Sequence, residues 1–176
     1  DIVISAGNTG ALFVIAKLNL KMIENIDKPA LSALWPNKKG MSVVLDLGAN
    51  IECSDKNLTD FAIMGASLFK ALFPSEFPKV ALLNIGSEEI KGNEIIKNTY
   101  QKLNQIKNES YEFKGYIEGN QLMNGDVNVI VSDGFTGNVA LKTAEGTANF
   151  ITSELKKTMT DSFLGKLSAL INIKNL

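Results

Sequence analysis

"DVNVIVSDGFTGN", residues 126–138, passes from an apolar run through a loop with two glycines into a stretch of helical character. Residues 126–132 have the β-branched content of a buried strand, and the spacing beyond them predicts a helix from about 138 to 158. A related stretch, "VISAGNTGA" at residues 3–11, opens the chain. Each carries Ser-x-Gly-x-Thr-Gly at the end of an apolar run. The first copy is Ser5, Gly7, Thr9 and Gly10, and the second is Ser132, Gly134, Thr136 and Gly137.

Working outward, the same alternation fills the chain. Residues 2–5 (IVIS) read as a buried strand and 11–23 as a helix. Residues 30–35 (ALSALW) and 42–47 (SVVLDL) read as strands separated by the turn-like PNKKG. A helix follows at 57–73, with Ser54 or Asn57 as its N-cap. Strand 80–85, an amphipathic helix at 93–107 and strand 111–117 complete the middle of the chain. The tail, 160–176, reads as an apolar helix with a break near Asp161. Short apolar strands alternating with helices predict an α/β fold, with a mostly parallel sheet flanked by helices. In such sheets ligands sit outside the carboxyl ends of the strands, where the Gly-rich loops of this chain are expected.

Composition narrows the chemistry. The 176 residues are 45% apolar, enough for a sizeable core, and the net charge of −1 gives no field that would recruit nucleic acid. The single cysteine, Cys53, cannot form an internal disulfide and fits a reducing cytoplasm. No stretch reads as a membrane span or a signal peptide. The chain opens on Asp1 with strand-like residues behind it, so it is expected to begin inside a larger protein. With no histidine, His-based zinc sites, Ser-His-Asp triads and Cys-His dyads are excluded within these residues. Carboxylates, lysines, hydroxyls, amides and backbone N–H groups remain.

The loops each have two readings. Glycine permits close backbone approach, and a helix start offers unpaired N–H groups to an anion. The two Ser-x-Gly-x-Thr-Gly loops are therefore phosphate or oxyanion cradles, with the helix starting at or just after the second glycine. Alternatively they are tight turns in which Thr9 or Thr136 caps the helix. "NIGSEEIKGNE" (84–94) places Asn84 and Gly86 at a strand end, then Glu88, Glu89, Lys91, Gly92 and Asn93. It is either an anion site or an exposed charged loop. "DLGANIECSD" (46–55) sets Asp46 at a strand end, ahead of Gly48 and Asn50. Asp46 either faces the cleft or caps the local turn. Cys53 reads as a structural thiol, because no basic partner stands near it in sequence. Lys142, one turn into the helix after DGFTGN, either reaches an anion or lies on the solvated face. The tail covers its own core, packs on a second subunit or lies at a membrane interface.

"SAGNTGA", "DLGAN", "FAIMG", "LLNIGSEEIKGNE" and "SDGFTGNVALKTAEG", in this order, resemble the PlsX-type phosphate acyltransferases of bacterial phospholipid synthesis. The resemblance covers nearly the whole chain to about residue 150. It implies a fold similar to that of isocitrate and isopropylmalate dehydrogenases and of phosphotransacetylase. It implies transfer of a fatty acyl group from acyl carrier protein to inorganic phosphate, with no cofactor and no metal. It further implies a cytoplasmic homodimer peripherally associated with the membrane. Members of that family usually open with a loop resembling D-A-M-G-G-D and close with a G-V-x-G-x-x-x-x-x-H-G-S-like segment. Neither occurs here, so residues 1–176 are expected to be the central part of a longer acyltransferase and to be inactive alone.

In the mechanism this implies, phosphate is the nucleophile and no protein nucleophile is needed. Asn8 and Asn138 serve as neutral donors, and Lys91 or Lys142 neutralises phosphate charge. Ser5, Gly7, Thr9, Gly10, Asp46, Gly48 and Asn50 are expected at the substrate. So are Asn84, Gly86, Glu89, Gly92, Asn93, Asp133, Gly134, Thr136 and Gly137. The alternatives are a phosphotransacetylase-like transfer from acyl-CoA and an inactive phosphate-binding module.

Overall fold

In the computed structural model, which describes residues 4–106 and 109–161, five strands form one sheet. The elements are α1 (Thr9–Asn19), β1 (Ser32–Asn37), β2 (Gly40–Leu45), α2 (Asp55–Leu72) and β3 (Lys79–Asn84). There follow α3 (Glu94–Gln105), β4 (Glu112–Glu118), a 3-10 turn at Gly119–Gln121, β5 (Val129–Val131) and α4 (Gly134–Thr160). The strand order is β1-β2-β5-β3-β4. The pairs β2–β5, β5–β3 and β3–β4 are parallel, and β1 is antiparallel to β2. This is the mostly parallel α/β sheet that the alternation of runs predicts.

The core follows from strand periodicity. Val43 and Leu45 of β2, Val80 and Leu82 of β3, and Val129 and Val131 of β5 share one buried cluster with Leu58, Phe61 and Phe69 of α2 and Leu103 of α3. The intervening Val44, Ala81 and Ile130 point to the opposite face and are buried as well. Burial on both faces explains why these strands read as continuous apolar runs. α2 begins with a reciprocal cap: the Ser54 hydroxyl accepts from the Asn57 N–H, and the Asn57 side chain accepts from the Ser54 N–H. Both candidate caps therefore serve together. Lys102 in the last turn of α3 pairs with Asp55 in the first turn of α2 at 2.7 Å. That hydrogen bond holds the Asp55 carboxyl below the usual carboxylate range.

One reading changes outright, and two meet the described residues only in part. Residues 1–3 lie outside the described residues, and Ile4 and Ser5 are exposed and belong to no strand. An apolar run becomes a strand only where a neighbour pairs with it, and neither Ile4 nor Ser5 has one. The predicted turn PNKKG shrinks to Lys38-Lys39, because Asn37 and Gly40 pair across the hairpin. The Asn37 side chain accepts from the Lys39 N–H, and Gly40 takes φ +138°. Of the apolar tail, residues 162–176 lie outside the described residues.

The chain divides into two units, Asp1–Asn138 and Val139–Leu176. The first carries the sheet, α1 to α3 and the first turn of α4. In the second, α4 exposes Val139, Phe150, Ile151 and Leu155. Among the described residues, no helix is long and apolar enough to cross a membrane.

Gly65, the glycine of FAIMG, lets α2 lie close on β2 and β5. A Cβ there would stand 2.5 Å from Val129 Cγ1 and 2.8 Å from Leu45 Cδ2. Overpacking of this kind costs about 1–3 kcal/mol, against a helix-propensity gain of up to ~1 kcal/mol. Gly65→Ala is expected to lower stability by about 1–2 kcal/mol in urea denaturation. An unchanged or raised midpoint would contradict this packing.

Candidate functional site

The parallel strands β2, β3 and β5 all release their loops on one side of the sheet, and those loops carry the singled-out motifs. After β2, the fully buried Asp46 accepts five hydrogen bonds. Its Oδ1 takes the N–H groups of Leu31 (3.0 Å), Gly48 (3.2 Å) and Ala49 (3.0 Å). Its Oδ2 takes the N–H and side-chain amide of Asn50, both at 2.7 Å. The same amide reaches the Pro29 carbonyl at 2.7 Å. Of the two sequence readings for Asp46, the turn organiser is the one the geometry displays. Gly48, at φ +132°, completes the turn.

The loop after β5 sits directly on this floor. The Gly134 N–H donates to the Asn50 carbonyl at 2.8 Å. A Cβ on Gly134 would meet that oxygen at 2.6 Å, and one on Gly137 would overlap the Asp46 carbonyl. Asn138 packs over Gly48, where an added Cβ would stand 3.5 Å from its side chain. The Asp133 carboxylate takes the Thr136 N–H at 2.7 Å and the Thr136 hydroxyl at 3.0 Å, capping α4. Ser132 is buried, and its hydroxyl has no hydrogen-bond partner among the described residues.

The first Ser-x-Gly-x-Thr-Gly is built differently. There Asn8, the fourth residue of the motif, caps α1 by accepting from the Ala11 N–H at 3.0 Å. In the second copy the cap is Asp133, the second residue. The helices thus start at Thr9 and Gly134, before the second glycine in both copies. The Ser5 hydroxyl accepts from the Gly7 N–H. Ser5 to Gly10 are exposed, and an added Cβ on Gly7 or Gly10 would meet only atoms of Ser5 or Asn8. Only the second copy is pressed against neighbouring backbone.

The loop after β3 is stapled from within. The buried Asn84 donates to the carbonyls of Gly86 and Lys91, each at 3.1 Å. Gly92, at φ +94°, lies so close that a Cβ would stand 2.5 Å from Asn84 Oδ1. Asn93 caps α3 by accepting from the Ile96 N–H at 2.9 Å. Glu89 accepts from the Tyr100 hydroxyl at 2.8 Å. The Lys91 ammonium is exposed and forms no hydrogen bond or ion pair among the described residues. Lys142, by contrast, pairs with Glu145 at 2.7 Å.

A cleft of about 920 Å³ lies outside these strand ends, bounded by the first turns of α2, α3 and α4 through Ser54, Asn93 and Asp133. Three helix N-termini turn partial positive charge toward the cleft, and Lys28, Glu52, Asp55 and Asp133 are its charged lining residues. Of the expected site residues, Asn93, Asp133 and Thr136 line the cleft; Lys91 and Asn138 are not among its lining residues, and Asp46, Asn50, Gly134 and Gly137 form the loop-to-loop contacts that hold the β2 and β5 ends together. Lys28, Cys53 and Phe135 also line it. Lys28 donates to the Glu52 carbonyl at 2.7 Å, a contact across 24 positions that no local pattern signals. Burial pushes the Cys53 thiol up, so it lines the cleft as a neutral group. Among the described residues, no group of three or more Cys, Asp or Glu is placed to hold a metal ion.

Asp46→Ala would leave five donors facing an apolar methyl. With hydrogen bonds to a charged group contributing about 1.5–3 kcal/mol each, the expected loss exceeds ~3 kcal/mol. Asp46→Asn keeps one acceptor oxygen and should lose less. Urea titration of both variants checks the order, and wild-type stability in Asp46→Ala would refute the network's role.

Comparison with known proteins places this geometry in a family. A sequence family described as "Fatty acid synthesis protein" matches residues 1–176. A phosphate acyltransferase from Pelagibacter ubique (strain HTCC1062) is 82% identical over 176 residues, all of this chain and 53% of that protein. A phosphate acyltransferase from Maricaulis maris (strain MCS10) is 47% identical over 167 residues, 95% of this chain and 47% of that protein. The chain spans about half the length of the curated relatives it matches. Among solved structures, a phosphotransacetylase from Streptococcus pyogenes aligns with a TM-score of 0.64 at 16% identity, covering 81% of this chain and 49% of that one. The EutD phosphotransacetylase from Staphylococcus aureus aligns at 0.57 and 18% identity, covering 76% and 46%. These two likenesses establish a shared fold. With a match from first residue to last, the chain belongs to the fatty acid synthesis protein family.

Proposed function

We propose that the full-length protein transfers a fatty acyl group from acyl carrier protein to inorganic phosphate, giving acyl phosphate for phospholipid synthesis. The observation that carries this reading is the cleft on which three helix N-termini open, in a chain 82% identical to a protein named phosphate acyltransferase. A phosphate oxygen attacks the thioester carbonyl carbon, and a tetrahedral oxyanion forms. The C–S bond then breaks, and the carrier thiolate leaves and takes up a proton. The attacking group is the substrate itself, so the reaction calls for no protein nucleophile. Its tasks are to hold phosphate in line and to stabilise the oxyanion.

The helix starts supply fixed positive potential for the first task. Lys91 supplies a mobile cation, and its freedom from internal pairing favours it over Lys142. Asn138, beside Gly48 in the first turn of α4, is one neutral donor, and Asn8, the N-cap of α1, is the other. The reading extends to a cytoplasmic homodimer that touches the membrane from one side. The apolar side chains exposed along the second unit support such a contact.

The test uses the full-length protein with long-chain acyl carrier protein, measuring carrier thiol release with and without phosphate. Phosphate-dependent release and a hydroxylamine-trappable acyl phosphate are expected. Turnover with acyl-CoA alone would instead assign a phosphotransacetylase-like reaction, and silence with both would leave a binding module. Within the active enzyme, Lys91→Ala is expected to lose at least about tenfold in activity while remaining folded, set below the roughly 100- to 1,000-fold that a lost oxyanion donor removes. Wild-type turnover in that variant would take Lys91 out of the site.

A further inference from the structure

We propose that Tyr100 is a positioning residue that keeps the Glu89 carboxylate from neutralising Lys91, an inference that rests on the phosphate site proposed above. Glu89 and Lys91 lie two residues apart on the exposed loop between β3 and α3. A carboxylate so near an ammonium would compete with any anion for it. Yet Lys91 carries no ion pair among the described residues, and Glu89 is held elsewhere. Its Oε1 accepts from the Tyr100 hydroxyl, eleven positions along, at 2.8 Å.

The donor is itself fixed. The Tyr100 ring stacks on Tyr116 with centroids 4.8 Å apart and meets the edge of Phe113 at 5.6 Å. Gly115, at φ +82°, brings the β4 backbone so near that a Cβ would stand 3.4 Å from the ring. β4 thus sets the ring, the ring sets its hydroxyl, and the hydroxyl sets the carboxylate. The Glu89 bond and partial burial push the Tyr100 pKa up, so it remains a donor at neutral pH. Tyr116, beside it, has a buried hydroxyl without a partner among the described residues. The Asn84 staple independently fixes the backbone of Gly86 and Lys91. Loss of the Tyr100 hydroxyl therefore releases the Glu89 side chain without dismantling the loop.

The full-length enzyme tests this through its phosphate dependence. In Tyr100→Phe, the KM for inorganic phosphate should rise about two- to fivefold, the strength of an exposed ion pair, with kcat within twofold. In a Lys91→Ala background the same Tyr100→Phe change should leave the KM for phosphate where Lys91→Ala puts it, because no ammonium remains for Glu89 to neutralise. A structural defect would raise KM in both backgrounds. An unchanged KM in Tyr100→Phe alone, or an equal rise in both backgrounds, overturns the proposal. If the wild-type enzyme shows no phosphate-dependent thiol release, the functional reading fails by itself. Side-chain relaxation then judges the tether: Tyr100→Phe should loosen the Glu89 side chain on the ps–ns timescale in carbon relaxation, and an unchanged Glu89 side chain would overturn it.

Discussion

The rim of this fold depends on one buried carboxylate. Burying Asp46 is unfavourable unless donors replace the water it gives up, and four backbone N–H groups and one side-chain amide do so. Those donors come from two separate stretches. Leu31 ties the approach to β1 onto the loop after β2, and Gly48 to Asn50 curl around the carboxylate. Asn50 then presents its carbonyl to the first turn of α4. The hydrophobic core brings the sheet and α2 together, but a polar network decides where the loops above it come to rest.

On that floor the three helix starts keep their own caps: Ser54 with Asn57, Asn93, and Asp133 with Thr136. A cap satisfies part of the N–H set and leaves the remaining partial charge facing the cleft. The site thus draws on backbone dipoles as well as side chains. Two lysines near the strand ends differ in kind: Lys28 donates to the Glu52 carbonyl, whereas Lys91 forms no hydrogen bond or ion pair among the described residues.

Much of this was legible in sequence, for reasons that differ by element. β2, β3 and β5 announce themselves because both of their faces are buried, which leaves no polar position inside the run. The Ser54–Asn57 cap and the Asn93 cap are local, and local chemistry is written in adjacent residues. The opening IVIS reads as a strand by the same rule, but its described end, Ile4 and Ser5, is in none; strand formation also needs a partner, and no run of residues encodes one. The two Ser-x-Gly-x-Thr-Gly copies share their four fixed residues, yet one helix begins at the third position and the other at the fifth. What differs is the two variable positions: Asp133 against Ala6 at the second, where only the carboxylate caps, and Phe135 against Asn8 at the fourth, where only the amide does. Lys28 and Tyr100 escaped notice because their partners, Glu52 and Glu89, lie 24 and 11 positions away.

The contact between Gly137 and the Asp46 carbonyl bears on how relatives of this chain are read. No side chain fits between those two backbones, so glycine is fixed there by assembly alone, whatever the cleft binds. Selection for solubility would preserve that residue in a descendant that had lost its chemistry altogether. The second motif is thus a marker of shared ancestry and architecture. Evidence of retained catalysis must be sought at positions such as Lys91, whose side chain the architecture leaves unconstrained.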